Sequence, residues 1–134
     1  KSKRIFKLSI FMIQTQTQVY VADNTGARIG RVFRILGGTR KRYARLGDVV
    51  VLSVINAEPR KLVKKKEVVY GLVVRQKKPF KRKDGSYVSF DDNAVVLIEK
   101  GKQEPRGGRI FGPIPREIGE LGYQKIISMA PEVV

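Results

Sequence analysis

Six of the nine residues at 75–83, R-Q-K-K-P-F-K-R-K, are Arg or Lys. Two further clusters repeat the pattern: Arg40, Lys41, Arg42 and Arg45 surround Tyr43, and Arg60, Lys61, Lys64, Lys65 and Lys66 follow Pro59. The chemistry these residues offer is fixed positive charge. Lys and Arg at this density displace the counterions of a polyanion, and the Arg fork bridges phosphate oxygens in pairs. Tyr43 and Phe80 add a flat ring to two of the clusters, the kind of surface on which an unstacked base sits.

Other chemistries find little support. The chain has no Cys and no His, which removes disulfides, thiolate and imidazole metal sites, and the commonest general base. Asp91-Asp92-Asn93 lacks the wider ligand spacing of a calcium loop and reads as a polar turn. The glycine-rich 37–46 segment lacks the Gly-Lys-Ser/Thr ending of a phosphate-binding loop. A nuclease would want clustered carboxylates for metal ions, but most acids here are scattered or sit in turns. No enzymatic activity and no cofactor is expected. A free single-strand-binding module would need several stacking rings, and Tyr43 and Phe80 are the main loop candidates.

The net charge of +16 is unevenly placed. Residues 1–83 hold 22 basic and 4 acidic side chains, whereas residues 84–134 hold 6 basic and 8 acidic. An excess of +18 repels itself unless a polyanion neutralises it. No apolar run approaches the ~20 residues of a membrane-spanning helix, and beyond residues 1–11 there is no long basic amphipathic helix to lie on a membrane. A nucleic acid is the expected partner.

These cations must be carried by something rigid, and the apolar pattern says what. Residues 14–22 alternate, with Val19 and Val21 on one side, and predict a strand ended by the turn cluster Asp23-Asn24-Thr25-Gly26. Residues 28–36 predict a second strand whose two faces are both mixed, so its inward side stays open. Residues 49–55, 67–75 and 94–98 are apolar runs suited to buried strands. Gly30 and Gly71 inside strands suggest bends or close backbone approach. Asp84-Gly85 is a turn pair closing a basic ribbon, and Tyr87, Val88 and Phe90 resume a strand. Pro115 opens a short helix that ends near Gly122, and residues 123–130 form a second, with Ile126, Ile127 and Met129 inward. Short strands joined by basic loops predict a small closed β-barrel, mainly β, with two short C-terminal helices.

The residues now resemble a known family. Gly71-Leu72-Val73-Val74, Asp84-Gly85, Phe90, Asn93 and Val96-Leu97 match the signature block of the bacterial-type L-fourteen family of large-ribosomal-subunit proteins. Further matches are Val21 through Arg28, Leu36-Gly37-Gly38, Arg42-Tyr43-Ala44, Gly47-Asp48, Arg109 through Pro113, and Ile126 through Val133. The resemblance spans residues 12–134, a single domain, and leaves 1–11 as a basic N-terminal extension. It implies a five-stranded barrel with a projecting ribbon, and a structural protein that binds large-subunit rRNA on the subunit-joining face. It also implies neighbours of the L-three and L-nineteen types, bridges to small-subunit rRNA, and in some systems a silencing factor. On that basis the expected rRNA contacts are Arg28, Arg40, Lys41, Arg42, Arg45, Arg60, Lys61, Lys64, Lys65, Lys66, Arg75, Lys77, Lys78, Lys81, Arg82 and Lys83. Arg106, Arg109, Arg116 and Lys125 are expected on the intersubunit or factor face. Arg60-Lys61-Leu62-Val63 departs from the family's usual glycine-containing turn, and Gly108 stands where Thr is common. With the acid-free residues 1–11 these suggest an organellar, mitochondrial ribosome; a plastid or bacterial one is the alternative.

Overall fold

A computed structural model describes residues 13–37, 43–101 and 103–134. The expected extension, residues 1–11, lies outside them. Five strands close a barrel in the order β1 (Gln18–Val21), β2 (Ala27–Ile35), β3 (Val49–Ala57), β4 (Val68–Arg75) and β7 (Ala94–Ile98). Neighbours are antiparallel except β1 and β7, which meet in parallel through Tyr20–Ala94 and Val21–Val95 and seal the barrel. Between β4 and β7 the chain makes a hairpin of β5 (Phe80–Lys81) and β6 (Tyr87–Val88). After β7 come β8 (Pro113–Ile114), α1 (Glu117–Glu120), α2 (Gln124–Met129) and β9 (Glu132–Val133), which pairs with β8. The mainly-β barrel and both helices match the sequence expectation.

Val19, Val32, Val50, Leu52, Val54, Val69, Val73, Val95 and Leu97 fill the barrel. The ambiguity of β2 has a physical cause. Gly30 and Val32 face inward, the register then shifts between Val32 and Arg34, and Ile35 rather than Arg34 is the next buried residue. A bulge changes the parity of a strand, so neither set of alternate residues is uniformly apolar. Gly30 and Gly71 are places of close approach. Leu52, on the strand between them, puts one methyl where a Cβ on Gly30 would lie and the other 2.8 Å from where one on Gly71 would lie.

A second core lies outside the barrel. Leu72, Val74, Val96 and Ile98, on the outer face of β4 and β7, pack with Ile110, Ile114, Ile118 and Ile126 of the C-terminal segment. These two strands are therefore buried on both faces, which is why they read as unbroken apolar runs rather than alternating ones. Each fully buried Ile contributes about 1.5–3 kcal/mol of transfer free energy, enough to hold helices of 4 and 6 residues that have no side-chain caps and no independent stability.

Candidate nucleic-acid interface

Strand direction sorts the basic segments onto the two ends of the barrel. The β2–β3 connection and the β5–β6 hairpin leave from one end. The β3–β4 connection leaves from the other, beside the β1–β2 turn and the 106–110 segment.

The β3–β4 connection is a rigid mount. Val63 is fully buried at the barrel mouth, and its N–H donates to the Thr25 carbonyl at 3.0 Å. The Lys64 N–H donates to Glu67 Oε2 at 3.2 Å, and the Lys66 N–H donates to the Val54 carbonyl at 2.7 Å. With its backbone fixed, the loop presents Arg60, Lys61, Lys64, Lys65 and Lys66 to solvent. The Lys61 stem lies over Gly26, which has no Cβ to fill that space and whose φ of 103° also favours glycine.

At the opposite end, the Ala44 N–H donates to the Ile13 carbonyl at 2.7 Å, and the Arg45 N–H to Asp48 Oδ2 at 2.7 Å. Arg45 is exposed. Arg40, Lys41 and Arg42 lie outside the described residues. In the hairpin, Asp84 Oδ1 accepts from both the N–H and the hydroxyl of Ser86, at 2.9 and 2.6 Å, and these bonds hold its carboxyl below the ordinary carboxylate value. Lys81 and Lys83 are exposed, and Lys77 and Lys78 half-buried.

Two of the expected contacts are spent inside the protein. Arg75, read as part of the basic ribbon, has a side chain only 9% exposed. Its Nε donates to Asp92 Oδ1 at 3.0 Å, and one terminal nitrogen donates to the carbonyls of Phe111 and Pro113 at 2.9 and 3.3 Å. Gly112, at φ 82°, leaves the space this guanidinium occupies. Arg82 is 12% exposed: Nε lies 2.8 Å from Glu117 Oε1, and a terminal nitrogen donates to the Val134 carbonyl at 2.6 Å. Both Arg side chains join the hairpin region to the C-terminal segment and are not free surface cations. Asp92, in turn, is the partner of Arg75, and Asn93 Oδ1 accepts from the Lys77 N–H at 2.9 Å.

Among the described residues, three exposed cations lie outside the expected set: Arg31, Arg34 and, after β7, Lys100. Arg31 and Arg34 project from the outer face of β2 with Arg28 and Phe33. Arg28 and Arg34 are six residues apart in one strand, about 20 Å at 3.3 Å per residue, so this face links the two basic ends. Arg28 is partly neutralised by Glu58, 3.2 Å away, in an exposed pair. Residue type alone signalled Arg31 and Arg34; the bulge hid their outward direction.

Of the cations expected on the partner face, Arg106 and Arg109 lie beside the β1–β2 turn, whereas Arg116 lies on the hairpin side with Asp84. Asp23 is buried, and its carboxylate accepts from the Thr25 hydroxyl at 2.6 Å and from the Leu97 N–H at 2.9 Å. Burial raises its pKa above the ordinary value, opposed by those hydrogen bonds and by Arg106. Asn24 Oδ1 accepts from the N–H groups of Gly108 and Arg109, at 3.0 and 3.2 Å. The residues read as a plain turn are thus the fastening of the glycine-rich segment. Arg109 is exposed and sits 5.6 Å from the Phe111 ring centroid, in cation–π range. Arg116 and Lys125 are exposed and Arg106 is half-buried.

The model of the family described as ribosomal protein L14p/L23e matches residues 12–134. The chain belongs to that family. The family is generally structural and non-enzymatic, and membership implies a structural role in the large subunit and a ribosomal location for this chain. The match runs through every described strand and helix.

Proposed function

We propose that the chain binds large-subunit rRNA through its exposed cations and holds a joining-face partner on its C-terminal side. The observation that carries the first part is the mounted loop of Lys64, Lys65 and Lys66, continued by Arg28, Arg31 and Arg34 along β2. Arg40, Lys41, Arg42, Arg45, Arg60, Lys61, Lys77, Lys78, Lys81 and Lys83 extend the same contact. Cations held by a fixed backbone meet phosphates with little further ordering cost. A-form RNA presents phosphates and 2′-hydroxyls more than base edges, so docking reads the tertiary shape of the rRNA.

Arg106, Arg109, Arg116 and Lys125 lie in a region of net charge −2, where bulk attraction to RNA is absent. They suit a local contact with small-subunit rRNA or with a silencing factor, while proteins of the L-three and L-nineteen types are the proposed neighbours. The proposed ribosome is mitochondrial, on the basic, acid-free composition of residues 1–11 ahead of the matched region. Sucrose-gradient fractionation of mitochondrial and cytosolic extracts tests both proposals. The protein is expected with mitochondrial large subunits and whole ribosomes; its presence mainly in the free pool at low salt contradicts the assignment.

A further inference from the structure

Tyr43 and Phe80 are 37 positions apart in the chain, yet they line one groove of about 350 Å³ where the β2–β3 connection meets the hairpin. That volume is at the small end of ligand-sized cavities, ~300–1,000 Å³. Tyr43 is 40% exposed and Phe80 half-buried, so both rings retain accessible surface. Arg45, Lys78 and Lys81 border the same groove.

The groove is held by a buried polar side chain. Gln76, 7% exposed, accepts from the Leu46 N–H with Oε1 at 3.0 Å and donates with Nε2 to the Lys78 carbonyl at 3.0 Å. One amide therefore joins the Tyr43 side to the Phe80 side, and all its bonds are directed at the two walls. Walls whose backbones are tied in this way need little further ordering when a flat group comes against their rings.

We propose that this groove takes a single unstacked nucleotide of RNA, its base against Tyr43 and Phe80 and its phosphates near Arg45, Lys78 and Lys81. The inference rests on the rRNA-binding reading above and adds a subsite to it. Aromatic faces accept any base, and three cations without a carboxylate among the described lining residues favour the phosphodiester over a neutral ligand. A fully paired A-form duplex offers phosphates but no free base face, so the groove distinguishes a bulged strand from a paired one.

The test compares two short RNA duplexes, identical except that one carries a single bulged adenosine, bound to the full chain at fixed salt. The wild-type protein is expected to prefer the bulged duplex by about tenfold, within the range seen for one base–ring stack. Tyr43→Leu and Phe80→Leu should each remove most of that preference and leave affinity for the paired duplex unchanged. Because the chain has no Trp, Phe80→Trp supplies a lone indole that can be excited selectively over the tyrosines. It should keep the preference, and the bulged duplex should quench its emission more than the paired one. Equal binding of the two duplexes by the wild type, survival of the preference in both Leu variants, or equal quenching by the two duplexes overturns the subsite alone. Failure to bind either duplex at low salt overturns the rRNA-binding reading and the subsite with it.

Discussion

The barrel has two unlike walls. On β1 and β2 the outer residues meet solvent: Gln18, Tyr20, Arg28, Arg31, Phe33 and Arg34 are all exposed. On β4 and β7 the outer residues Leu72, Val74, Val96 and Ile98 are covered by the C-terminal segment. The same strand chemistry serves two ends, a basic surface on one side and a foundation for helices on the other. The division follows the charge of the chain, since the C-terminal segment that covers the apolar wall lies in the near-neutral stretch after residue 83. What this teaches about Arg is direct. On the open wall Arg31 and Arg34 are exposed, whereas Arg75 at the covered wall is spent on Asp92 and two carbonyls.

The contrast is broken most severely in the second core. Ile118→Ala and Ile126→Ala each remove a fully buried side chain, and each should cost about 2–5 kcal/mol in urea unfolding. Phe33→Ala on the open wall should shift stability by no more than about 0.5 kcal/mol. Equal costs on the two walls would mean that the C-terminal segment is not packed as described.

Arg75→Met comes next. It removes the guanidinium but leaves Asp92 partly exposed, with 30% of its side chain accessible, so water recovers part of the loss. A cost of about 2–3 kcal/mol is expected, with RNA affinity at fixed salt unchanged once the variant is folded. A selective loss of RNA affinity would return Arg75 to the binding surface.

Asp23 sharpens the comparison through pH. Its native pKa is raised chiefly by burial, so the native state holds the proton more tightly than the unfolded chain does. Its contribution is fully present below the unfolded value of about 3.9 and is lost as pH rises through the higher native value. Asn does not titrate. The stability of wild type relative to Asp23→Asn should therefore decline as pH is raised from about 3.5 towards neutrality, read from urea midpoints at successive pH values. A difference that grows with pH would mean that the hydrogen bonds from Thr25 and Leu97 outweigh burial.

Much of this architecture was legible from local pattern. The apolar runs at 49–55, 67–75 and 94–98 became β3, β4 and β7, and the turn residues at 23–26, 47–48 and 84–85 fell between elements. Long-range partnering was not legible. Arg75 and Arg82 look like their neighbours Lys77 and Lys83, and only residues 17 to 52 positions away distinguish them. Asp23 and Asn24 have ordinary turn composition, and their bonds reach Leu97, Gly108 and Arg109. Gln76 carried no signal at all, because a Gln in a basic run is unremarkable until the fold puts a wall on each side of it. That Arg31 and Arg34 both point outward depended on the register shift between Val32 and Arg34, one of three along β2, which periodicity cannot count.

The salt dependence of binding to deproteinised large-subunit rRNA tests the central claim most directly. Each cation on a phosphate contributes about one unit to the slope of log affinity against log salt. Arg31→Gln with Arg34→Gln should reduce the magnitude of that slope by about 2 and leave the unfolding midpoint in place. Arg75→Met, folded under the same conditions, should leave the slope at the wild-type value. An unchanged slope in the double variant, or a reduced slope in Arg75→Met, would contradict the division of the barrel into an RNA-facing wall and a covered one.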